Sequence, residues 1–514
     1  MQMKTQRSPL WIFATLLVLK AVVQWIAVSP AYDLQRDEYL HLDLANHLGA
    51  GYLSVPPFTA FNSLLIDYLG GGVFWVRFFP ALYGALTMLL IWKMVQRLGG
   101  GWFAQVLAGL LYICSGYSRL NMLYQPNSFD VLSWTLLFWL LLKYIDEQKN
   151  VDLLWMGVVA GFGILNKYNI FFLLLGLAAA LLLSPQRKIF RNKYLYFGLL
   201  LALLIISPNL LWQVRHGFPV IHHMQELTEK QLVHVNRIAF LADQLIFFLL
   251  GCFVVIAAWL GLLLHKPFRP YRVILLTYLL VMLLFTYMQA KSYYTLGLYP
   301  VLLAFGAVYW ERIFTHDWTR HLRWGWLALV VIPFIFLFNA IFPVMSPQQI
   351  QVRSGKFRAL GLLRWEDGKD HPLPQDFADM LGWKQLAAIT LQAYELVPAS
   401  ARPYTLVLCS NYGAAGAVNY YNRGKMPLAV SFDADYVFWF PRMDSIQYII
   451  KVGEAPGKDI LPYVGKVLPV GQLRDSLMRE DGSGAYLLSD LSAEVPGRLR
   501  KRIYEKQLQY RGMP

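Results

Sequence analysis

Long apolar runs recur along the first two thirds of the chain and leave few architectures open. About 18 apolar residues cross a hydrocarbon core of roughly 30 Å as helix. Backbone in lipid must satisfy its own hydrogen bonds, which only helices and closed barrels achieve. A barrel would alternate apolar and polar residues in segments of about ten, whereas these runs are apolar throughout. Spans are expected near 9–29, 73–95, 102–118, 130–145, 152–166, 168–184, 195–213, 239–264, 273–288, 293–310 and 325–345, about eleven transmembrane helices. Only 15% of the residues are charged, against roughly 25% in soluble domains, so the chain reads as a polytopic α-helical membrane protein. The start "MQMKTQRSPLWIFATLLVLKAVVQWIAVSPAY" is basic, but its apolar part is too long for a signal peptide and lacks a clear small-residue cleavage site. It reads as a retained first helix.

The net charge of +15 does not call for a nucleic-acid partner, because lysine and arginine of a membrane protein gather first in cytoplasmic loops. With the N-terminus cytoplasmic, the inside loops hold Lys93 and Arg97, Lys143 and Lys149, then Arg187, Lys188, Arg191 and Lys193. Further inside loops hold Lys266, Arg269 and Arg272, then Arg312, Arg320 and Arg323. This orientation puts the stretch after the first helix, a histidine-rich loop near 215–237 and everything beyond residue 345 outside. The cysteines Cys114, Cys252 and Cys409 imply neither a disulfide framework nor a cysteine metal site.

From Ser346 the composition turns mixed, so residues 1–345 are expected as a membrane domain, with a first outer loop at 30–72, and 346–514 as an extracytoplasmic α/β domain. "YTLVLCS" and "YVFWFP" read as strands, and "DFADMLGWKQLAAITLQAYELV" has helical periodicity. The "GAAG" of "LCSNYGAAGAVNYYN" lacks the full glycine fingerprint of a nucleotide site and reads as a tight turn. The basic tail "RLRKRIYEKQLQYRG" reads as a solvated helix, with anionic lipid headgroups as the alternative contact.

Charges at span ends carry the functional signal, since an ionisable group at membrane depth costs about 2.5–3.5 kcal/mol or more. Arg36, Asp37 and Glu38 follow the first helix in "YDLQRDEYLHLDLANHLGAGYLSVPPFTAF". Arg119 and Asp130 flank "SRLNMLYQPNSFD", Lys167 stands in "LNKYN" and Lys291 in "AKSYYTLGLYP". All map to the outer side, which describes a polar cavity better than accidents, although Arg119 and Lys167 taken singly could snorkel. Arg36, Lys167 and Lys291 with the hydroxyls of Tyr293 and Tyr294 suit a phosphate at headgroup level. A carboxylate pair suits a general base toward a hydroxyl, or a metal. A lipid phosphate leaving group with an activated hydroxyl is glycosyl transfer.

"RDEYLHLDLANHL", "GYLSVPPFTAF", "LNKYNIFFLLLGL", "SPNLLWQVRHGFP" and "KSYYTLGLYPVLLAFGA" resemble glycosyltransferase family 39, the membrane group of GT-C fold that includes dolichyl-phosphate-mannose protein mannosyltransferases and aminoarabinose transferases. "NYGAAGAVNYYNRGKMPLAVSF" looks like the C-terminal part of bacterial members. The resemblance implies a bacterial inner-membrane enzyme that takes a sugar from polyprenyl phosphate at the outer face. The acceptor would be a glycolipid, a lipopolysaccharide or a protein. It implies Asp37 as the base, with inversion at the anomeric carbon, and Glu38 orienting Asp37 or touching the acceptor. Lys167 and Lys291, with Arg36 and Tyr294, would neutralise the departing phosphate; Asp130, Arg119, Tyr293 and His216 would support.

Where aminoarabinose transferases carry a Glu-Lys pair before the double proline Pro56–Pro57, this chain has Ser54 and Val55. That argues against carrying over a divalent metal, and no cofactor is expected with certainty; Asp130, or Gln125 through water, would supply the missing polar group. His216, His222, His223 and His234 share one loop, but their spacing is irregular, so no metal site is read there. A transporter or flippase of lipid-linked sugars would use the same cations without needing an acid. It would more often show inverted repeats and broken midplane helices, and no repeat is seen.

Overall fold

The computed structural model describes residues 9–230, 235–314, 317–442 and 446–511; His234 lies outside them. The chain divides into two compact units. Met1–Val28, Phe74–Leu210 and Leu227–Phe342 form one; Ser29–Val73, Leu211–Glu226 and Pro343–Pro514 form the other.

The first unit is helical. Among the described residues six helices are long and apolar enough to cross a membrane: Leu10–Ala27, Val73–Arg97, Asn127–Glu147, Lys193–Arg215, Lys266–Tyr287 and Leu322–Ile341. The number reaches eight if each of two bent pairs counts as one span, and Trp102–Ile113 and Asn150–Asn166 are shorter apolar helices. Each expected run carries helix, but length and composition do not yield eleven crossings. The expected span 239–264 is two helices, Arg237–Ile246 and Leu249–Leu264, bent by 94°. Leu249 takes a left-handed φ of 50°, a conformation a right-handed helix cannot run through. The run expected at 293–310 begins as a 3-10 turn, Ser292–Leu298, and becomes α-helix only over Tyr299–Ile313. A Cβ at Gly157 would meet the Gly198 carbonyl oxygen, so helices Asn150–Asn166 and Lys193–Arg215 touch backbone to backbone, as small residues permit in membrane bundles.

The second unit is built on a five-stranded sheet in the order β2-β1-β3-β5-β4. The strands are β1 Thr405–Cys409, β2 Val430–Ser431, β3 Tyr448–Gly453, β4 Val464–Gln472 and β5 Gly484–Leu491. β1 runs parallel to β2 and β3, while β5 pairs antiparallel with β3 and β4. One face buries Leu406, Val430, Ile449 and Leu488 with Val495, Leu499 and Ile503 of the helix Val495–Arg511, on which Arg498, Arg500, Lys501 and Arg502 are exposed. Residues alternate between faces along a strand, so Val407, Ile450 and Leu487 turn to the layer of helices Trp383–Glu395 and Tyr412–Tyr421.

"YTLVLCS" is β1 as expected, but "YVFWFP" is not a strand. Its start lies in a 3-10 turn, Ala434–Phe438, where the Asp435 carboxylate accepts from the backbone N–H of Leu53 at 2.6 Å and Ser54 at 3.2 Å. "GAAG" is not a tight turn either; it lies inside helix Tyr412–Tyr421. A Cβ at Gly416 would sit 2.8 Å from the Tyr39 carbonyl, and one at Gly413 would meet Arg36 Cγ at 2.6 Å. These glycines let helix Arg36–Asp43 lie directly on helix Tyr412–Tyr421.

Candidate functional site

Candidate residues occur in both units. In the second, helix Arg36–Asp43 starts at Gln35, whose side chain accepts from the Asp37 N–H at 2.8 Å. The Glu38 carboxylate closes the capping box by accepting from the Gln35 N–H at 2.7 Å, and Glu38 is fully buried. Two of the orphan donors at the helix start are thereby satisfied. Asp37 stands one residue further out, half-buried, where the positive end of the helix favours a carboxylate. Its Oδ1 accepts from the Tyr412 hydroxyl at 2.8 Å. The Arg36 guanidinium lies 4.2 Å above the Tyr412 ring, and its Nε has no hydrogen-bond partner among the described residues. Burial, with Asp37 alongside, holds the Tyr412 hydroxyl well above the usual phenol range, so it stays a donor.

Near Asp37 stand further carboxylates, partly or fully buried, that sequence reading left unassigned. Tyr39 and Tyr421 share a hydroxyl contact at 3.1 Å, and the Tyr421 hydroxyl donates to Asp33 at 3.3 Å. Burial raises Asp33 above the usual carboxylate range. Burial also pushes Asp43 up to about 6, although Asn46 and Asn419 both donate to it at 2.7 Å. A carboxyl whose pKa is higher folded than unfolded stabilises fully below the unfolded value near 4 and loses that contribution as pH rises through the folded one. Asp43→Asn is therefore expected to flatten the fall in melting temperature between pH 4.5 and 7. An unaltered slope would assign the effect to other raised carboxyls such as Asp379, also at about 6.

Ser54 and Val55, just before the double proline, are engaged otherwise. The Ser54 hydroxyl donates to Asp435 Oδ2, and Val55 is buried in a cluster with Leu44, Tyr52 and Ala60. Neither presents a metal ligand. Among the described residues no three His, Cys, Asp or Glu side chains gather as a metal site requires.

The first unit brings most of the expected cations and tyrosines together. Lys167 follows helix Asn150–Asn166 and donates to Asn127 Oδ1 at 2.7 Å. Its ammonium lies 4.4 Å from the Tyr294 ring centre and 5.1 Å from that of Tyr293. Asp130 attracts it, and Lys291 is near enough to repel it. Asp130 is held from both sides, by Trp134 Nε1 at 2.9 Å and Asn169 Nδ2 at 3.0 Å. Asn169 also donates to the Tyr294 carbonyl at 2.9 Å, which ties the "KSYYT" turn to the "LNKYN" turn. Two lysines, an acid and two aromatic faces are thus neighbours here, a grouping of a kind suited to an oxyanion.

Two further expected residues have contacts of their own. Arg119 lies in the short helix Gly116–Leu120 and reaches Met122 Sδ at 3.8 Å. His216 belongs to the second unit, its ring stacked 4.4 Å from that of Trp212 and its Nδ1 2.8 Å from the Trp212 carbonyl. Sequence reading passed over Tyr412 and Asn127, which no local motif marks. It also passed over Lys20, buried within helix Leu10–Ala27 and donating to Gln24 at 2.6 Å, while Gln24 holds the Asn121 carbonyl at 2.8 Å. A lysine inside "LLVLKAVV" was the available signal.

Known proteins resemble this chain in sequence and in fold. The family described as dolichyl-phosphate-mannose-protein mannosyltransferase matches residues 54–212. The lipid A galacturonosyltransferase RgtD of Rhizobium johnstonii is 27% identical over 233 residues, 43% of this chain and 48% of that protein. The chain thus spans about half the length of the curated relative it matches. The crystal structure of ArnT from Cupriavidus metallidurans bound to undecaprenyl phosphate superposes with a TM-score of 0.63 at 15% identity, covering 94% of this chain and 98% of that one. Its apo state gives 0.61 over the same shares. At such identity the superposition speaks for the fold, the GT-C architecture of membrane helices with a small α/β domain. The resemblance to glycosyltransferase family 39 drawn from the motifs is borne out.

Proposed function

We propose that this chain, of the glycosyltransferase family 39 and ArnT-like kind, is an inner-membrane enzyme that moves a sugar from polyprenyl phosphate to a glycolipid hydroxyl. The transfer takes place on the extracytoplasmic side, with the N-terminus cytoplasmic. The observation that carries the reading is a half-buried carboxylate, Asp37, at a capped helix start with Tyr412 on one oxygen. A transporter of the intact donor needs no general base. The lipid A acceptor named for RgtD favours a glycolipid over a protein.

In the proposed reaction the Asp37 carboxylate takes the proton of the acceptor hydroxyl as that oxygen bonds to the anomeric carbon from the face opposite the phosphate. The carbon–oxygen bond to phosphate breaks, its electron pair leaves with polyprenyl phosphate, and the anomeric centre inverts. Glu38 serves through the capping box that fixes the start of the helix. Lys167 and Lys291, with Arg36 and Tyr294, offset the charge growing on the leaving phosphate, where preorganised cations act most strongly. Asp130 and Tyr293 hold Lys167 in place, and Arg119 and His216 remain supporting candidates. With Ser54 and Val55 engaged elsewhere, no step is routed through a metal.

The test uses the full chain in lipid nanodiscs and vesicles with undecaprenyl-phosphate-linked galacturonate or aminoarabinose, labelled in the sugar, and lipid A as acceptor. The expected result is label on lipid A with stoichiometric release of undecaprenyl phosphate. Intact donor crossing the vesicle bilayer with no labelled lipid A would overturn the reading in favour of transport.

A further inference from the structure

We propose that Tyr412 is a positioning residue for the catalytic base: its hydroxyl, bonded to Asp37 Oδ1, sets the plane in which the carboxylate meets the acceptor. The inference rests on the reading of Asp37 as the base and assigns part of the catalytic arrangement to the C-terminal chain.

The torsion that orients an aspartate carboxylate is broad, with no sharp staggered wells. A carboxylate at a helix start is therefore poorly defined unless something holds one of its oxygens. Here a hydrogen bond of 2.8 Å from a phenol does so, and a bond to a charged acceptor is stronger than a neutral one. The phenol is itself immobilised from several sides. The Arg36 guanidinium covers its ring at 4.2 Å. Its backbone N–H donates to Asp433 Oδ2 at 3.4 Å. The preceding residue, Asn411, caps the helix by accepting from the Ala414 N–H at 3.0 Å and donates to the Glu480 carboxylate at 3.2 Å.

Gly413 and Gly416 complete the device. The Cβ contacts described above leave room only for hydrogen at both places, so Tyr412 begins a helix whose separation from Arg36–Asp43 is set by backbone and short side-chain atoms. Positional error at the hydroxyl is correspondingly small, which is what supporting groups of a catalytic residue must provide. Tyr412 transfers no proton in this scheme; it orients the group that does.

The experiment is a double-mutant cycle on the full chain with the donor and acceptor pair identified by label transfer, comparing wild type, Tyr412→Phe, Asp37→Asn and the double variant. Phenylalanine keeps the ring beneath Arg36 and removes only the hydroxyl. The expected result is a kcat about tenfold lower for Tyr412→Phe, a donor KM within about twofold and an unchanged melting temperature. In the Asp37→Asn background Tyr412→Phe should cost nothing more. An unchanged kcat for Tyr412→Phe beside an inactive Asp37→Asn overturns the inference and leaves the base reading standing. So does the same fold-loss in both backgrounds, which marks a role independent of Asp37. Full activity of Asp37→Asn removes the base reading and the inference together.

Discussion

Asp37→Asn is expected to lower kcat for sugar transfer by about three orders of magnitude, within the 10²–10⁴-fold typical of general-base catalysis, while the protein stays folded and still binds donor. Asparagine matches aspartate in size and still offers Tyr412 a carbonyl oxygen, so the contact across the two helices survives. What it cannot do is accept the acceptor's proton. Losing the charge at the helix start costs roughly 0.3–1 kcal/mol, too little to unfold a chain whose helix remains anchored by Gln35, Glu38 and the packed glycines. Circular dichroism and melting temperature should match wild type. A rate within tenfold of wild type would sink the assignment of the base.

Lys167→Met should carry the second largest effect, a fall in kcat/KM of about 10²-fold, in the range seen when one preorganised donor to a developing oxyanion is removed. Methionine keeps the length and apolar stem of lysine, and Asp130 retains Trp134 and Asn169 as donors, so the surrounding turns should hold. Inhibition by added undecaprenyl phosphate reads the same contact without chemistry. It should weaken about tenfold in the variant, and inhibition as strong as in wild type would remove Lys167 from the phosphate site. Lys167→Arg, which keeps the charge, should recover a good part of the loss while remaining below wild type, because the planar guanidinium fits the two tyrosine faces differently.

Much of the architecture was legible because the bilayer demands long apolar helices and writes them into composition. The break at Leu249 was not, since "LIFFLLGCFVV" stays apolar across it and only the backbone departs from helix. The acidic pair and the two lysines could be singled out because charge at membrane depth is rare. Their partners could not, because Tyr412 meets Asp37 across a separation of 375 residues and no local spacing encodes that. "GAAG" shows the same limit: glycine signals either a turn or a close approach, and only the presence of Tyr39 and Arg36 against it decides. "YVFWFP" has the residues of a strand, yet the carboxylate of Asp435 is spent on the backbone of Leu53 and Ser54, and the chain turns there.

Resting helix Arg36–Asp43 on helix Tyr412–Tyr421 also imposes an order in time. A ribosome adds about 5–20 residues per second, so the acidic stretch emerges tens of seconds before the segment it lies against exists. Throughout that interval it has its own capping box but no Tyr412 and no glycine bed. A nascent or prematurely ended chain thus displays the acid alone, and the paired helices exist only when the last fifth of the polypeptide is made. Translation stalled or terminated before residue 412 should leave inserted, inert protein, and a C-terminal fragment supplied separately would have to restore both surfaces at once.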